Sequence, residues 1–173
     1  DKNAKRDLAI ITLLLSTGIR ISELVGLNRA DFDFSNGSFS VMRKGGNQAI
    51  LYLPAEASES LSDYLQTERS QISAAREEDE DAAFLSLQRK RMAVSSIEKM
   101  VKKYSYPVVP LKNISPHKFR STYGTNLYKE TGDIYLVADV LGHKDINTTK
   151  KHYAAIDEDR RKLAAKVTKL RKD

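Results

Sequence analysis

Two turn signals on either side of a short alternating run constrain the fold of this chain more than any other feature. Asn36-Gly37 is a strong hairpin signal, because the central residues of the tight turn need positive φ angles that Asn and Gly tolerate. Between this turn and the Gly45-Gly46-Asn47 turn, apolar and polar residues alternate as they do along a half-buried strand. The sequence therefore predicts a three-stranded antiparallel sheet from residues 33–35, 38–43 and 49–53.

The rest of the chain is predicted to be mainly helical. Apolar residues recur at helical spacing, as at Leu61 and Leu65. One helix start is explicit, since Ser115 is a good N-cap and Pro116 suits the first helical position. The predicted helices cover residues 5–17, 22–27, 55–69, 95–104, 116–131, 133–141, 147–153 and 157–170. The predicted fold class is mainly α with a small three-stranded antiparallel β-sheet (α+β), in a single domain over residues 1–173.

Composition excludes several classes of protein. The chain contains no cysteine, so neither a disulfide framework nor a thiolate metal site is possible. The longest apolar run, residues 8–15 broken only by Thr12, is too short to cross a bilayer, and no signal-peptide cleavage site follows the basic start. We therefore expect a cytoplasmic protein without a membrane partner. Because the chain begins with Asp1 rather than Met, we also expect it to be part of a longer protein.

The charge balance favours a polyanionic partner. Lys and Arg number 29 against 23 acidic residues, a net charge of +6. Five of the acids fall in one run, residues 77–81, which we expect to be a solvated loop, and the rest of the chain carries +11. Such a surface attracts DNA. Basic proteins that bind no nucleic acid are also common, so the charge alone does not decide the function.

Three side chains are suited to binding a phosphate group. Arg20 lies between two predicted helices, where a rigid backbone would aim its planar guanidinium. His117 and Arg120 share a face near a helix N-terminus, whose dipole adds positive potential. Each has a simpler explanation when taken alone. A structural salt bridge with Glu23 would account for Arg20, and an H-x-x-R pair arises by chance in many proteins.

Three further residues extend the set. Lys44 stands at a predicted hairpin tip, beside glycines that allow close approach of a ligand, although such a lysine more often only aids solubility. His143 follows a helix that ends in glycine, and Tyr153 comes ten residues later, where a tyrosine is usually a core residue. Together the six side chains supply what metal-free phosphoryl transfer through a covalent intermediate requires. They offer cations for the phosphate oxygens, a nucleophile, and an acid for the leaving oxygen.

Four blocks of sequence belong together. They are residues 16–27 (STGIRISELVGL), 43–47 (RKGGN), 115–125 (SPHKFRSTYGT), and 141–153, which begins with LGH and ends in Tyr153. In this order and at these spacings they resemble the tyrosine recombinase (integrase) family, close to its Xer-type and transposon-integrase branch. The resemblance covers nearly the whole chain, and it implies the catalytic-domain fold of that family.

The resemblance implies roles for the phosphate-binding residues. Arg20 and Arg120 would clamp the scissile phosphate of double-stranded DNA, and His117 and His143 would complete the pocket. Glu23 matches an acidic position that is expected to support the site rather than to react.

The same resemblance implies the chemistry. Tyr153 would attack the phosphate to form a 3′-phosphotyrosyl bond, and Lys44 would protonate the departing 5′-hydroxyl. A 5′-hydroxyl of a partner strand would then resolve the intermediate, so that the site-specific recombination needs no metal, cofactor or ATP. The biological task would be integration, excision or dimer resolution in a bacterial cell, on nucleoid-associated DNA.

The resemblance also implies an assembly. The family's N-terminal core-DNA-binding domain would precede Asp1. The helix from Asp157 to Asp173, with Leu163, Val167 and Leu170 on one side, would dock onto a neighbouring protomer in a DNA-bound homo-tetramer. The alternative is that it packs on its own domain or frays.

Some positions and functions have competitors. The rival residues are Tyr123 and Tyr128 for the nucleophile, Arg43 and Lys90 for the acid, and His152, which directly precedes Tyr153. We expect Tyr123 to pack in the core. The rival functions are a type IB topoisomerase that relaxes DNA, a DNA-binding regulator without catalysis, and a metal hydrolase using His117, His143 and His152. No H-E-x-x-H motif accompanies those histidines.

Overall fold

The computed structural model of this chain describes residues 2–105 and 115–167. The chain forms two compact units, which divide between Tyr123 and Gly124. The prediction of one domain over the whole chain stays a prediction. The irregular connection predicted around Pro107 and Pro110 lies outside the described residues.

In the described part of the chain, the first unit contains four complete α-helices and half of a fifth. Its elements are α1 (Ala4–Thr17), α2 (Ile21–Val25), α3 (Ala55–Asp63), α4 (Val94–Ser105) and the first half of α5 (Pro116–Thr131). The predicted helix over residues 55–69 does not continue as one α-helix, because a π turn over Tyr64–Glu68 follows α3. The hydroxyl of Thr67 donates to the Asp63 carbonyl at 2.6 Å, and such a bond back along the chain bends a helix.

The predicted three-stranded antiparallel sheet is confirmed, in the order β1-β2-β3. The strands are β1 (Phe32–Asp33), β2 (Ser38–Arg43) and β3 (Asn47–Tyr52). The first strand is shorter than predicted, because Asp33 accepts hydrogen bonds from the Ser35 hydroxyl and the Asn36 backbone, which close the turn early. The register pairs Arg43 with Asn47 at the end of the second hairpin. This hairpin end carries Lys44.

The hydrophobic core of the first unit joins α1 to the sheet and to α3 and α4. Leu13 of α1, Phe39 of β2, Leu61 of α3 and Ile97 of α4 are all less than 2% exposed. Burying a side chain of this size stabilises the fold by about 1.5–3 kcal/mol. The core therefore fixes both α1 and the base of the second hairpin.

The acidic run is only in part the solvated loop that the sequence predicts, because Glu77, Glu78 and Asp81 are exposed whereas Asp79 is buried. Residues Glu77–Asp79 form a 3₁₀ turn, and Asp79 is buried with its carboxylate 2.7 Å from the Arg76 guanidinium. The fully buried Arg69 donates hydrogen bonds to the carbonyls of Glu80 and Ala82. The backbone of the run thus wraps around a buried cation, which no local pattern in the sequence reveals.

The second unit consists of the second half of α5 together with α6 (Ile134–Leu141), α7 (Ile146–His152) and α8 (Ala154–Val167). The side chains of Asp133 and Asp145 cap α6 and α7 at their N-termini. The helix predicted over residues 147–153 ends one residue earlier, so Tyr153 is its C-cap. Among residues 2–105 and 115–167, no helix is both long and apolar enough to cross a membrane.

Candidate active site

Arg20 occupies the junction between α1 and α2. Its backbone N–H donates to Glu23 Oε1 at 2.8 Å, which caps α2, and its Nη1 lies 3.6 Å from Glu23 Oε2. The salt bridge that the sequence offered as an alternative is therefore present. It does not bury Arg20, whose side chain is 41% exposed, whereas that of Glu23 is only 4% exposed. The carboxylate orients the guanidinium and leaves it at the surface, where a phosphate can reach it.

Gly18 brings the second arginine to this junction. Its φ of 67° ends α1 in the left-handed conformation, which glycine adopts at little cost. Its carbonyl oxygen accepts a hydrogen bond from Arg120 Nη1 at 2.6 Å. Arg120, on α5, is buried, with 8% of its surface exposed. Its guanidinium therefore contacts the backbone two residues before Arg20.

His117 lies on the same helix as Arg120, one turn closer to the N-terminus. Ser115 acts at the helix start as predicted, since the Lys118 backbone N–H donates to its Oγ at 3.4 Å. His117 is exposed. The helix N-terminus adds positive potential near Arg120, and the histidine adds a hydrogen-bond donor.

Lys44 stands at the exposed tip of the β2–β3 hairpin. The turn over Lys44–Gly46 holds Gly45 at φ 82° and Gly46 at φ 76°, a pair of left-handed residues that only glycine accommodates easily. The rival Arg43 is directed elsewhere, because its Nε lies 3.5 Å from Glu23 Oε2. The other rival, Lys90, is exposed beside the Leu85–Arg91 bridge. The first unit thus links Arg20, Arg120 and the base of the Lys44 hairpin through short contacts.

His143 and Tyr153 are brought together in the second unit by Thr149. The Thr149 hydroxyl lies 2.6 Å from His143 Nδ1, and its carbonyl accepts a hydrogen bond from the Tyr153 backbone N–H at 3.2 Å. Thr149 is fully buried. One threonine therefore sets the orientation of the imidazole and the position of the tyrosine backbone.

The Tyr153 ring is held on two sides. It lies 5.4 Å from the Tyr128 ring and 4.9 Å from the His152 ring, measured between ring centroids. The residue is 2% exposed. Its hydroxyl packs against Gly124 of α5, and a methyl group at that position would collide with the hydroxyl and press on Leu141. The missing side chain of Gly124 provides the space for the phenol.

The rival tyrosines have structural roles. The Tyr123 ring packs against Gly18, as predicted, and burial raises the pKa of its phenol. The Tyr128 hydroxyl donates to Asp157 of α8, and this hydrogen bond raises the pKa of Tyr128. The Arg160 guanidinium lies over the Tyr128 ring at 5.4 Å. Both phenols are thus engaged in packing within their own units.

The sequence does not identify several residues that contact the site residues. Nothing in the pattern distinguishes Thr149 from Thr148, and Gly124 carries no signal beyond being a glycine inside a helix. The sequence presents Arg43 only as a competitor of Lys44 for the role of the acid. Across the described part of the chain, no group of three or more His, Asp or Glu side chains is arranged to hold a metal ion.

The model of the phage integrase family matches residues 1–160. The tyrosine recombinase XerS of Streptococcus agalactiae serotype III (strain NEM316) is 35% identical over 170 residues, which cover 96% of this chain and 47% of that relative. The chain therefore belongs to the phage integrase family. It spans about half the length of the curated relatives that it matches.

Two solved structures share the fold. The crystal structure of XerA recombinase has a TM-score of 0.80 at 26% identity and covers 98% of this chain and 62% of that one. XerH site-specific recombinase, bound to a palindromic difH substrate in a post-cleavage complex, has a TM-score of 0.81 at 25% identity. That match covers 96% of this chain and 46% of the XerH chain. The predicted tyrosine recombinase catalytic-domain fold is confirmed.

Proposed function

We propose that this chain is the catalytic part of a tyrosine recombinase, which performs site-specific DNA recombination through a 3′-phosphotyrosyl intermediate. The observation that carries the proposal is the hydrogen bond from Arg120 to the Gly18 carbonyl, because it joins two distant arginines at one helix junction. Membership of the phage integrase family supports the same function. So does the difH complex of XerH, a protein with this fold.

The arginines would bind the scissile phosphate. A guanidinium donates two parallel hydrogen bonds to neighbouring phosphate oxygens, so Arg20 and Arg120 suit a group whose negative charge grows in the transition state. His117 would add a donor at the N-terminus of α5. His143, oriented by Thr149, would contribute from the second unit.

Tyr153 would be the nucleophile and Lys44 the general acid. The Tyr153 Oη forms a bond to phosphorus as the bond from phosphorus to the 5′-oxygen breaks, and the Lys44 ammonium protonates that oxygen. The phenolic proton passes to His117 or His143. In the second step a 5′-hydroxyl of a partner strand attacks phosphorus as the bond from phosphorus to Tyr153 Oη breaks. The proton of the attacking hydroxyl passes to Lys44, and the histidine returns a proton to the phenolate. One phosphodiester replaces another, so ATP and metal are not required.

The partners would be double-stranded DNA and further copies of the same protein. The net charge of +6 supports binding to DNA. On α8, Leu163 and Val167 lie one helical turn apart and are 58% and 68% exposed, which supports docking of this helix onto a neighbouring protomer. Leu170 lies outside the described residues. We propose a homo-tetramer on paired DNA sites, acting on the nucleoid in the cytoplasm of a bacterium; the streptococcal relatives support the bacterial host.

The test is covalent capture on a nicked suicide substrate that carries the recombination site. The full-length protein should form a covalent adduct in the presence of EDTA, whereas Tyr153→Phe should bind the same DNA with nearly unchanged affinity and form none. An adduct from the variant would place the nucleophile elsewhere, and loss of wild-type adduct in EDTA would overturn the metal-free mechanism. Supplying two sites then separates strand exchange from the relaxation expected of a type IB topoisomerase.

A further inference from the structure

Arg43 directly precedes Lys44, and its side chain points into the protein. The side chain is 9% exposed, and its Nε lies 3.5 Å from Glu23 Oε2. The neighbouring Met42 is 63% exposed, as the alternation of side chains along a strand requires. Arg43 is therefore the inward-facing cation at the end of β2.

Glu23 connects Arg43 to Arg20. One carboxylate oxygen accepts the hydrogen bond from the Arg20 backbone N–H, and the other lies within 3.6 Å of both guanidinium groups. A buried carboxylate requires opposite charge and hydrogen bonds, since an unpaired one costs several kcal/mol. The two arginines thus share one buried anion, and the hairpin is tied to the junction that presents Arg20.

We propose that Arg43 is a positioning residue, which holds the base of the hairpin so that Lys44 reaches the leaving oxygen of the phosphate clamped by Arg20. The proposal rests on the general-acid role proposed above for Lys44. Arg43 itself cannot supply the proton, because a guanidinium stays protonated under all ordinary conditions. It acts through its neighbour.

The geometry of the hairpin explains why an anchor is needed on this side. Gly45 and Gly46 follow Lys44 and give the tip little stiffness, because glycine restricts the backbone least. The partner of Arg43 across the ladder is Asn47, which is exposed and provides no buried contact. The ion pair with Glu23 therefore fixes the last ladder pair before the lysine.

Two substrates separate positioning from general stability. One has the normal 5′-oxygen at the cleavage site, and the other has sulfur in place of that bridging oxygen. A thiol has a pKa of about 8.5, far below that of an alcohol, so a thiolate leaves without an acid. Any residue that acts through the general acid should matter for the oxygen substrate alone.

The experiment measures single-turnover cleavage by the full-length protein. Lys44→Ala should lose about 100-fold or more on the oxygen substrate, in the range of general acid catalysis, and regain most of it on sulfur. Arg43→Ala should lose about tenfold on oxygen and little on sulfur, with DNA affinity unchanged. Arg20→Ala is the matched control, because the loss of a phosphate contact should slow both substrates.

The outcomes are distinct. Suppose that Lys44→Ala regains its cleavage rate on the sulfur substrate. If Arg43→Ala is then slowed equally on both substrates, or on neither, the positioning role of Arg43 is overturned. If Lys44→Ala is slow on both, Lys44 is not the acid and the proposed mechanism falls with it. Arg43→Lys keeps the charge beside Glu23 and guards against misfolding of the alanine variant. Arg43→Lys should also be slowed on the oxygen substrate and not on the sulfur substrate, by a smaller factor than Arg43→Ala. If it shows no such difference between the substrates, that result counts against the proposal.

Discussion

The imidazole of His143 and the hydroxyl of Thr149 are hydrogen-bonded at 2.6 Å, inside a turn of chain that also holds Tyr153. Thr149 is buried, so no water can replace its hydroxyl without a rearrangement. The bond fixes which way the ring faces. This contact is the main structural support for the role proposed above for His143.

Replacing Thr149 with Val should therefore slow covalent capture without weakening DNA binding. The two side chains have nearly the same shape, so the change removes the hydroxyl and leaves the packing, at a cost of about 1–3 kcal/mol for the partner left unsatisfied. We expect roughly a tenfold slower adduct formation on a suicide substrate. Thr149→Ser, which keeps the hydroxyl, should stay close to wild type, and an equal loss in both variants would argue against the hydrogen bond.

Gly124→Ala should destabilise the fold and displace the tyrosine. The added methyl group would meet the Tyr153 hydroxyl, and overpacking of this kind costs about 1–3 kcal/mol, more than the helix propensity gained from alanine. The control is Gly26→Ala, where the nearest atoms would be at 3.5 and 3.6 Å and no change is expected. Denaturant midpoints measure both. The destabilisation should shrink when Gly124→Ala is combined with Tyr153→Phe, and simple additivity of the two would disprove the collision.

Gly18→Ala should be more harmful than the same change at Gly37. Both glycines have left-handed backbones, with φ of 67° and 66°, so both variants carry strain of about 1–2 kcal/mol. Only Gly18 faces a ring, that of Tyr123, whereas nothing lies within 4 Å of the site at Gly37. Gly18→Ala should thus be destabilised by more than the backbone strain alone. It should also lose cleavage activity, because the Gly18 carbonyl accepts the hydrogen bond from Arg120. Equal stability of the two variants would show that the ring moves aside freely.

The hydrogen bond between Tyr128 and Asp157 predicts a pH dependence of stability. It raises the pKa of the Tyr128 phenol in the folded state, so the unfolded chain ionises first as the pH rises past 10.0. Stability from this pair is complete below that pH and decreases above it. Thermal unfolding of Tyr128→Phe should start from a lower midpoint at neutral pH and fall less steeply in the alkaline range. If the unfolding midpoint of the variant falls with pH as steeply as that of the wild type, the alkaline loss of stability comes from the other tyrosines whose pKa is raised, Tyr64, Tyr104 and Tyr123.

The sequence predicts those parts of the fold that local chemistry determines. The alternation of β2 and the Ser115-Pro116 start each impose a backbone conformation on their immediate neighbours, and the structure has both. The chain also turns at Asn36-Gly37, but the pairing of Asp33 with Ser38 leaves residues 34–37 in the turn, and only Gly37 among them has a positive φ, so the tight two-residue turn that the sequence predicts is not formed. The early end of β1 and the break after α3 depend on side-chain hydrogen bonds to the backbone, which propensity cannot resolve.

Contacts between distant residues are harder to predict. The carbonyl of Gly18 meets Arg120 across 102 positions, and Arg69 organises an acidic run that its composition alone would assign to solvent. Thr149 and Gly124 act by position, one as a hydrogen-bond partner and the other by having no side chain. Neither property is visible in a residue type. The six candidate residues could be named from spacing and resemblance, while the residues that hold them required three-dimensional coordinates.

The contacts of Thr149 also bear on the design of chimeric proteins. The buried Thr149 contacts both the His143 imidazole and the Tyr153 backbone. Residues 143–153 should therefore keep their internal geometry when they are exchanged as one segment. A chimera that takes this segment from a relative should preserve the placement of Tyr153 if it also takes the residues at positions 124 and 128, because Gly124 and Tyr128 pack against the Tyr153 side chain.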